Sequence, residues 1–229
     1  MPTAVFAHRG DTARCVENTV EAFLEARRRG ADGVELDVRR SADGALVVHH
    51  DAEVPGLGPV ASLAVHQLPS YVPLLAEALA ACHGLRVNVE VKNSPGEPGH
   101  DPSQAVATAT AAAVAESGEA EAVLVSSFEV PTLAAVRAAD PSLAIGLLVG
   151  WQADPSAALE LAVERRFQAL HPFVSQVDAG LVGRAHAAGL AVNVWTVNSP
   201  ADLRAMVELG VDAVITDQLE EALAAVHRG

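Results

Sequence analysis

The chain has 229 residues, about half of them apolar, and a formal net charge of -14. Its length allows one large hydrophobic core or two small ones. The negative charge argues against nucleic acids and anionic membranes as main partners, and two cysteines do not make a disulfide framework. No apolar run reaches the ~18 residues expected of a membrane span, so we expect no stable membrane insertion.

The first residues show no basic region followed by an apolar stretch, which is the pattern of a signal peptide. A cytoplasmic location is therefore expected. Aromatic residues make up 3% of the chain, so Ala, Val and Leu must build the core. No sequence feature predicts an oligomeric state.

One pattern recurs along the chain: a short β-branched run, one or two polar residues, then an Ala- and Leu-rich helical stretch. The predicted strands are Ala4–Ala7, Gly33–Val38, Arg86–Lys92, Ala122–Ser126, Ala144–Val149, Gln168–His171, Ala191–Val197 and Ala213–Ile215. The predicted helices are Thr19–Arg29, Pro73–Ala81, Ser103–Glu116, Pro131–Ala139, Pro155–Arg165, Asp178–Ala188, Pro200–Leu209 and Leu219–His227. An extra strand at residues 45–50 is expected to pair near the second one, after a turn at Asp43-Gly44.

Local signals support these boundaries. Asn18 precedes Thr-Val-Glu21 and is predicted to cap the first helix. Prolines 131, 155 and 200 stand where first-turn prolines belong. The stretches Val54–Pro59 and Ser94–Pro102 are rich in Pro and Gly and are predicted to be long loops that follow strands.

Alternating strand and helix units predict a parallel sheet, and eight such units predict a closed (β/α)8 barrel, a fold of ~250 residues. The alternative is an open doubly wound sheet. No Gly-x-Gly-x-x-Gly follows the first strand, which argues against that alternative. We find no linker composition, so a single domain over residues 1–229 is expected.

Two predicted strands carry polar residues at every second position. Glu35 and Asp37 alternate with apolar residues in one strand, and Asn88, Glu90 and Lys92 do so in another. Residues two apart share a face of a strand, so the polar set should point into the barrel. Converging carboxylates repel one another unless they are protonated or bound to a cation. Mg²⁺ or Ca²⁺, which prefer oxygen ligands, would suit them; the alternative is a set of buried ion pairs with Lys92 and Arg9.

Histidines stand at several predicted strand ends. His8 and Arg9 follow the first strand, His49 and His50 close the extra one, and His171 ends another. Side chains at the carboxyl ends of barrel strands build active sites. The remaining histidines lie in predicted loops or helices and are interpreted as structural: His66, His83, His100, His186 and His227.

Seven segments in this order resemble the glycerophosphodiester phosphodiesterase family: AHRG, ENTVEAF, GADGVELDVRRSADGALVVHHD, VNVEVKN, VSSF, VNVWTVN and GVDAVITD. The resemblance covers nearly the whole chain. It implies a (β/α)8 barrel that uses a divalent cation, Mg²⁺ or Ca²⁺, to hydrolyse glycerophosphodiesters to glycerol 3-phosphate and an alcohol.

The resemblance also implies roles for individual residues. His8 and His50 would be the acid/base pair, Glu35, Asp37 and Glu90 would hold the metal, and Arg9 and Lys92 would contact the phosphate. Gly10 would let the backbone turn away without a side chain that crowds the phosphate. Trp195 lies in one of the matching segments; it is either barrel packing or a wall of the site, and we count it among the candidate substrate-binding residues.

One departure from the family pattern concerns the segment after His50-Asp51. Many members carry an Arg-Thr-Thr-like stretch and an insertion there, whereas this chain has a short apolar segment. The preferred alcohol is therefore not predicted. Two other functions stay open: a phospholipase D-like cleavage of lysophospholipids on the same barrel, and a non-catalytic barrel that binds phosphorylated metabolites.

Overall fold

The computed structural model describes residues 2–226, which form a closed barrel of eight parallel strands. The first barrel strand pairs with both the second and the last, so the barrel is closed. In chain order the strands are β1 (Ala4–His8), β2 (Gly33–Arg40), β3 (Leu46–Val48), β4 (Glu53–Val54), β5 (Gly58–Pro59), β6 (Arg86–Val91), β7 (Val123–Ser127), β8 (Ala144–Val149), β9 (Ala169–Pro172), β10 (Ala191–Val194) and β11 (Ala213–Thr216).

Three of these strands lie outside the barrel: β3 is antiparallel to β2, and β4 pairs with β5 in a small hairpin. The helices connect the barrel strands, and among residues 2–226 none is long and apolar enough to cross a bilayer. They are α1 (Val20–Arg28), α2 (Leu75–Ala81), α3 (Ala105–Ser117), α4 (Val130–Ala139), α5 (Pro155–Glu164), α6 (Ala179–Ala187), α7 (Pro200–Leu209) and α8 (Leu219–Val226). The predicted barrel is confirmed, and the open sheet is excluded by closure.

Strand alternation sorts the core as expected. Val34, Leu36 and Val38 of β2 are fully buried and pack in the main hydrophobic cluster with helix residues such as Phe23. Each buried side chain of this kind contributes about 1.5–3 kcal/mol. The intervening side chains of the same strand point inward, so the polar residues of β2 and β6 share the barrel interior.

Several boundaries differ from the sequence prediction. The cap of α1 is Thr19, whose hydroxyl accepts a hydrogen bond from the amide of Ala22, and Asn18 instead has a left-handed backbone (φ 56°). The strand predicted to reach Val197 ends at Val194. The predicted loop at Val54–Pro59 contains the β4–β5 hairpin. The predicted end of the last helix at His227 lies outside the described residues.

His171 occupies the middle of the barrel rather than its mouth. Its ring is fully buried, and Gly146 leaves room for it, since a Cβ at Gly146 would lie 2.6 Å from Nε2 of His171. The Asn193 amide lies 3.0 Å from the same nitrogen, so an amide N–H can donate to an unprotonated Nε2. Burial lowers the pKa of His171 to about 3. The ring is therefore a neutral packing element.

A neutral buried histidine should make the fold sensitive to acid. In the unfolded chain, His171 becomes protonated near the ordinary pKa of histidine. In the folded chain its pKa is about 3, so the ring stays neutral at these pH values. Between about pH 7.5 and about pH 5, the wild type should lose about 2 kcal/mol more unfolding free energy than His171→Gln. Urea unfolding of both proteins measures the difference, and equal losses would show that folded His171 accepts the proton.

Candidate functional site

The neighbouring parallel strands β2 and β6 bring the acidic residues together. The register of these parallel strands pairs Glu35 with Asn88 and Asp37 with Glu90. All four side chains are buried, with exposed fractions of 8% or less. One carboxylate oxygen each from Glu35, Asp37 and Glu90 lies within 4.8 Å of the others. The sequence prediction of a shared inward face is confirmed.

Two cations face this acidic cluster of Glu35, Asp37 and Glu90. Lys92 places its Nζ 3.0 Å from Asp37 Oδ1 and 2.6 Å from Glu90 Oε1. Arg9 places its Nε 3.3 Å from Asp37 Oδ2. Burial alone would raise the pKa of Asp37, but Lys92 and Arg9 outweigh it and hold that pKa well below its usual range.

Glu35 has the opposite electrostatic environment. Burial, and then the negative charge of Asp37, raise the pKa of Glu35 to about 8. Its Oε1 is buried without a hydrogen-bond partner. Such an oxygen, beside two further carboxylates, offers the ligand set that Mg²⁺ and Ca²⁺ prefer. The three acidic residues therefore fit a divalent cation, and the buried ion pairs with Lys92 and Arg9 are present at the same time.

His8 links the acidic cluster to the last strand of the barrel. Its Nε2 lies 3.8 Å from Glu35 Oε2, and its Nδ1 lies 2.7 Å from Asp217 Oδ1. Asn198 donates a hydrogen bond to the other oxygen of Asp217. Burial lowers the pKa of His8, but the hydrogen bond to Asp217 and the charges of Glu35 and Asp217 outweigh it, so the pKa lies above its ordinary value.

His50 lies on the other side of the cluster, beyond β3. Burial is the largest influence on the pKa of both Asp37 and Glu90, and it leaves the pKa of Glu90 above its ordinary value; a positive charge on His50 opposes this effect at both carboxyls. The Nδ1 of His50 lies 2.7 Å from Asp51 Oδ1. Its neighbour His49 points its Nδ1 at the backbone oxygen of Asp51, at 2.9 Å. The two histidines therefore contact different atoms of the same residue, His50 the carboxylate and His49 the backbone oxygen of Asp51.

Arg9 and Gly10 form the turn that leaves β1. Arg9 has a positive φ of 58° and donates from Nη1 to both carboxylate oxygens of Glu17, at 3.1 and 3.0 Å. A Cβ at Gly10 would lie 2.6 Å from the Cβ of Ala22. Gly10, with a φ of 88°, therefore also allows α1 to approach the turn closely; its expected role beside the phosphate stays a prediction.

Trp195 belongs to an aromatic group on the far side of the barrel mouth. Its ring packs edge to face with Phe128 and Phe173, at centroid distances of 5.6 and 5.3 Å. Its Nε1 donates to the backbone oxygen of His171. These three rings follow β7, β9 and β10, whereas the charged residues stand on β1, β2 and β6 or beside them. These contacts show that Trp195 packs in the barrel. Its role as a wall of the site stays a prediction.

Sequence reasoning missed Asp217, Asn18 and Arg39. Asp217 directly follows β11, and its position after a strand was the available signal. Asn18 donates to Asp37 Oδ2 at 2.8 Å and its side-chain oxygen accepts from the Asp37 amide; its capping pattern hid this role. Arg39 continues the inward face of Glu35 and Asp37, so the same alternation that identified the carboxylates could have identified it.

Comparisons with known proteins identify the family of this chain. A model of the glycerophosphoryl diester phosphodiesterase family matches residues 8–221. A glycerophosphodiester phosphodiesterase of Caldanaerobacter subterraneus subsp. tengcongensis is 32% identical and aligns over 100% of both chains. One from Bacillus altitudinis is 29% identical, over 96% of this chain and 97% of the relative.

A solved structure of a phosphodiesterase has the same fold. A phosphodiesterase of Oleispira antarctica, in complex with its product sn-glycerol-3-phosphate, is 26% identical to this chain. The two superpose with a TM-score of 0.88, over 99% of this chain and 97% of the other. The resemblance found in the sequence is confirmed, and this chain belongs to the glycerophosphoryl diester phosphodiesterase family.

Proposed function

We propose that this protein hydrolyses small glycerophosphodiesters to sn-glycerol 3-phosphate and an alcohol, with the help of a divalent cation. The observation that carries the proposal is the buried cluster of Glu35, Asp37 and Glu90, with Lys92 and His8 against it at the barrel mouth. Family membership supports the reaction. So does the product bound to the Oleispira antarctica relative.

In this proposal Glu35, Asp37 and Glu90 hold Mg²⁺ or Ca²⁺. A bound cation supplies positive charge that stabilises the phosphoryl oxygens as negative charge develops on them. Arg9 and Lys92 are assigned to the same oxygens, because both are cations that already face the cluster. Lys92 keeps its charge there. Burial lowers its pKa, but Glu90 and Asp37 have the larger combined effect, so the pKa lies above its ordinary value.

His8 and His50 are the proposed acid and base. Asp217 engages Nδ1 of His8, and Asp51 engages Nδ1 of His50. A carboxylate that accepts from Nδ1–H leaves Nε2 free to exchange a proton. One histidine would take the proton of the attacking oxygen, and the other would supply one to the departing alcohol. Trp195 is assigned to the wall on the opposite side of the bound substrate.

The structure disfavours the lysophospholipid alternative. That reaction calls for an apolar entrance, for which the loop Val54–Leu63 is the candidate. Val54, Val60 and Leu63 of this segment are 2%, 1% and 9% exposed and pack against Val47. Leu57, at 50%, is its exposed large apolar side chain. The loop therefore forms a small hydrophobic core of its own and does not present an apolar surface to an acyl chain.

The proposed location and the proposed substrate class follow from the cysteines and from the net charge. We assign the protein to the cytoplasm, where its unpaired Cys15 and Cys82 would stay reduced. Its substrate is a small molecule, and the net charge of -14 argues against a nucleic acid. A panel of glycerophosphodiesters and lysophospholipids, with identification of the products, tests the proposal directly. Release of a phosphorylated alcohol in place of glycerol 3-phosphate would overturn it.

The metal dependence can be measured in two ways. Exhaustive chelation should abolish hydrolysis, and Mg²⁺ or Ca²⁺ should restore it. The same ion should raise the melting temperature of the wild type, because a ligand that binds only the folded state stabilises it. Glu35→Gln should fold but show little of this shift, whereas the exposed Glu21→Gln should match the wild type. Full activity after chelation would contradict the proposal.

The two adjacent histidines separate catalysis from structure. His50→Ala should lower turnover by about a hundredfold or more, which is typical for general acid–base catalysis. His49→Ala, the matched control, should stay within about tenfold of the wild type. The strand predicted to reach residue 50 ends at Val48, and beyond it Nδ1 of His49 is directed at the backbone oxygen of Asp51, whereas His50 influences Asp37 and Glu90. If His50 is the acid, a p-nitrophenyl ester, whose leaving group needs little protonation, should suffer less than glycerophosphocholine. A larger loss from His49→Ala would show that the assignment is wrong.

A further inference from the structure

We propose that Arg39 is a positioning residue that fixes the backbone of His50 beside the acidic cluster. The inference rests on the proposed function, in which His50 exchanges a proton with the substrate. Arg39 is the last inward-facing residue of β2, two positions beyond Asp37, and it is 7% exposed. No substrate contact is assigned to it.

The guanidinium of Arg39 donates two hydrogen bonds to one atom of His50. Its Nε and Nη2 both donate to the carbonyl oxygen of His50, at 2.8 and 2.7 Å. Its Nη1 donates to Glu97 Oε2 at 3.0 Å. This use of the planar fork requires arginine, because a lysine ammonium presents its donors from a single point.

His50 needs such support because of where it stands. It follows β3 by two residues, outside the regular sheet. Its side chain is 33% exposed, and its Nδ1 partner is the adjacent Asp51, whose side chain is 71% exposed. A bond to a neighbouring, exposed residue does not anchor the ring to the barrel. Arg39 supplies that anchor from β2, the strand that also carries Glu35 and Asp37.

Packing around Arg39 cannot replace these hydrogen bonds. The segments after β3 and β6 meet where Gly99 approaches Ala61, and a Cβ at Gly99 would lie 2.7 Å from that of Ala61. Between them remains a cavity of about 120 Å³, whose lining includes Arg39, Ala61, Lys92 and Gly99. Arg39 spans this gap, with His50 on one side and Glu97 on the other. The hydrogen bonds to the carbonyl oxygen of His50 thus cross the gap, and the ion pair with Glu97 holds the other side of the guanidinium.

The kinetic test uses Arg39→Met, Arg39→Lys and the control Arg40→Met, which removes the adjacent exposed arginine. Displacement of a catalytic group by about 1 Å can cost about a hundredfold, so Arg39→Met should lower kcat by about tenfold to a hundredfold, with KM within about threefold. Arg39→Lys should recover part of the loss. Arg40→Met should behave like the wild type.

A double-mutant cycle decides whether Arg39 acts through His50. In a His50→Ala background, Arg39→Met should lower kcat by less than about threefold further, because the group it positions is gone. Equal losses in the two backgrounds would overturn the proposal, since they would mean that Arg39 contacts the substrate or supports the fold generally.

A second measurement needs no activity. In the NMR spectrum, the ring Cε1–H signal of His50 can be identified by its loss in His50→Ala. This signal should shift or broaden in Arg39→Met and stay unchanged in Arg40→Met. An unchanged signal in Arg39→Met would overturn the positioning role even in an active enzyme. A wild type that hydrolyses no glycerophosphodiester, with a His50 signal that responds to Arg39→Met, would refute the proposed function while the positioning contact stands.

Discussion

Three carboxylates buried in one barrel end are the constraint on which the rest of the site depends. Glu35, Asp37 and Glu90 are held within 4.8 Å by strand register, not by flexible loops. Close, buried like charges are unfavourable unless cations or protons compensate them. Lys92 and Arg9 supply part of that compensation, and the raised pKa of Glu35, about 8, marks the part that remains. The site is thus poised for one more positive charge.

The order of strands around the barrel divides its mouth into two halves. Charged or hydrogen-bonding residues come from the adjacent strands β11, β1, β2 and β6, while Phe128, Phe173 and Trp195 follow β7, β9 and β10. A phosphodiester is anionic at its centre and less polar in its alcohol parts. A mouth divided in this way can stabilise the phosphoryl group on one side and leave a weakly polar wall for the rest of the substrate.

The sequence predicted what strand periodicity determines. Alternation placed Glu35, Asp37 and Glu90 on one inward face, and the structure brings them together as expected. Contacts between distant segments were not predictable in this way. Asp217 meets His8 across 209 positions, and only the closure of β11 on β1 creates that pair. A local pattern predicts Asn18 to be a helix cap, whereas in the structure Asn18 has a positive φ and hydrogen-bonds to Asp37, far along the chain.

The layers beneath the site determine how it is reached. Below His8, the inward residues of β1 and β11 are apolar: Phe6 pairs with Ile215, and both pack with Trp195. At the amino end, the guanidinium of Arg86 lies 5.2 Å from the centroid of the Phe6 ring. On this side of the barrel, apolar side chains therefore fill the interior beneath His8. In the proposed function, a cation held by Glu35, Asp37 and Glu90 and the substrate would both reach the site from the mouth at the carboxyl ends of the strands.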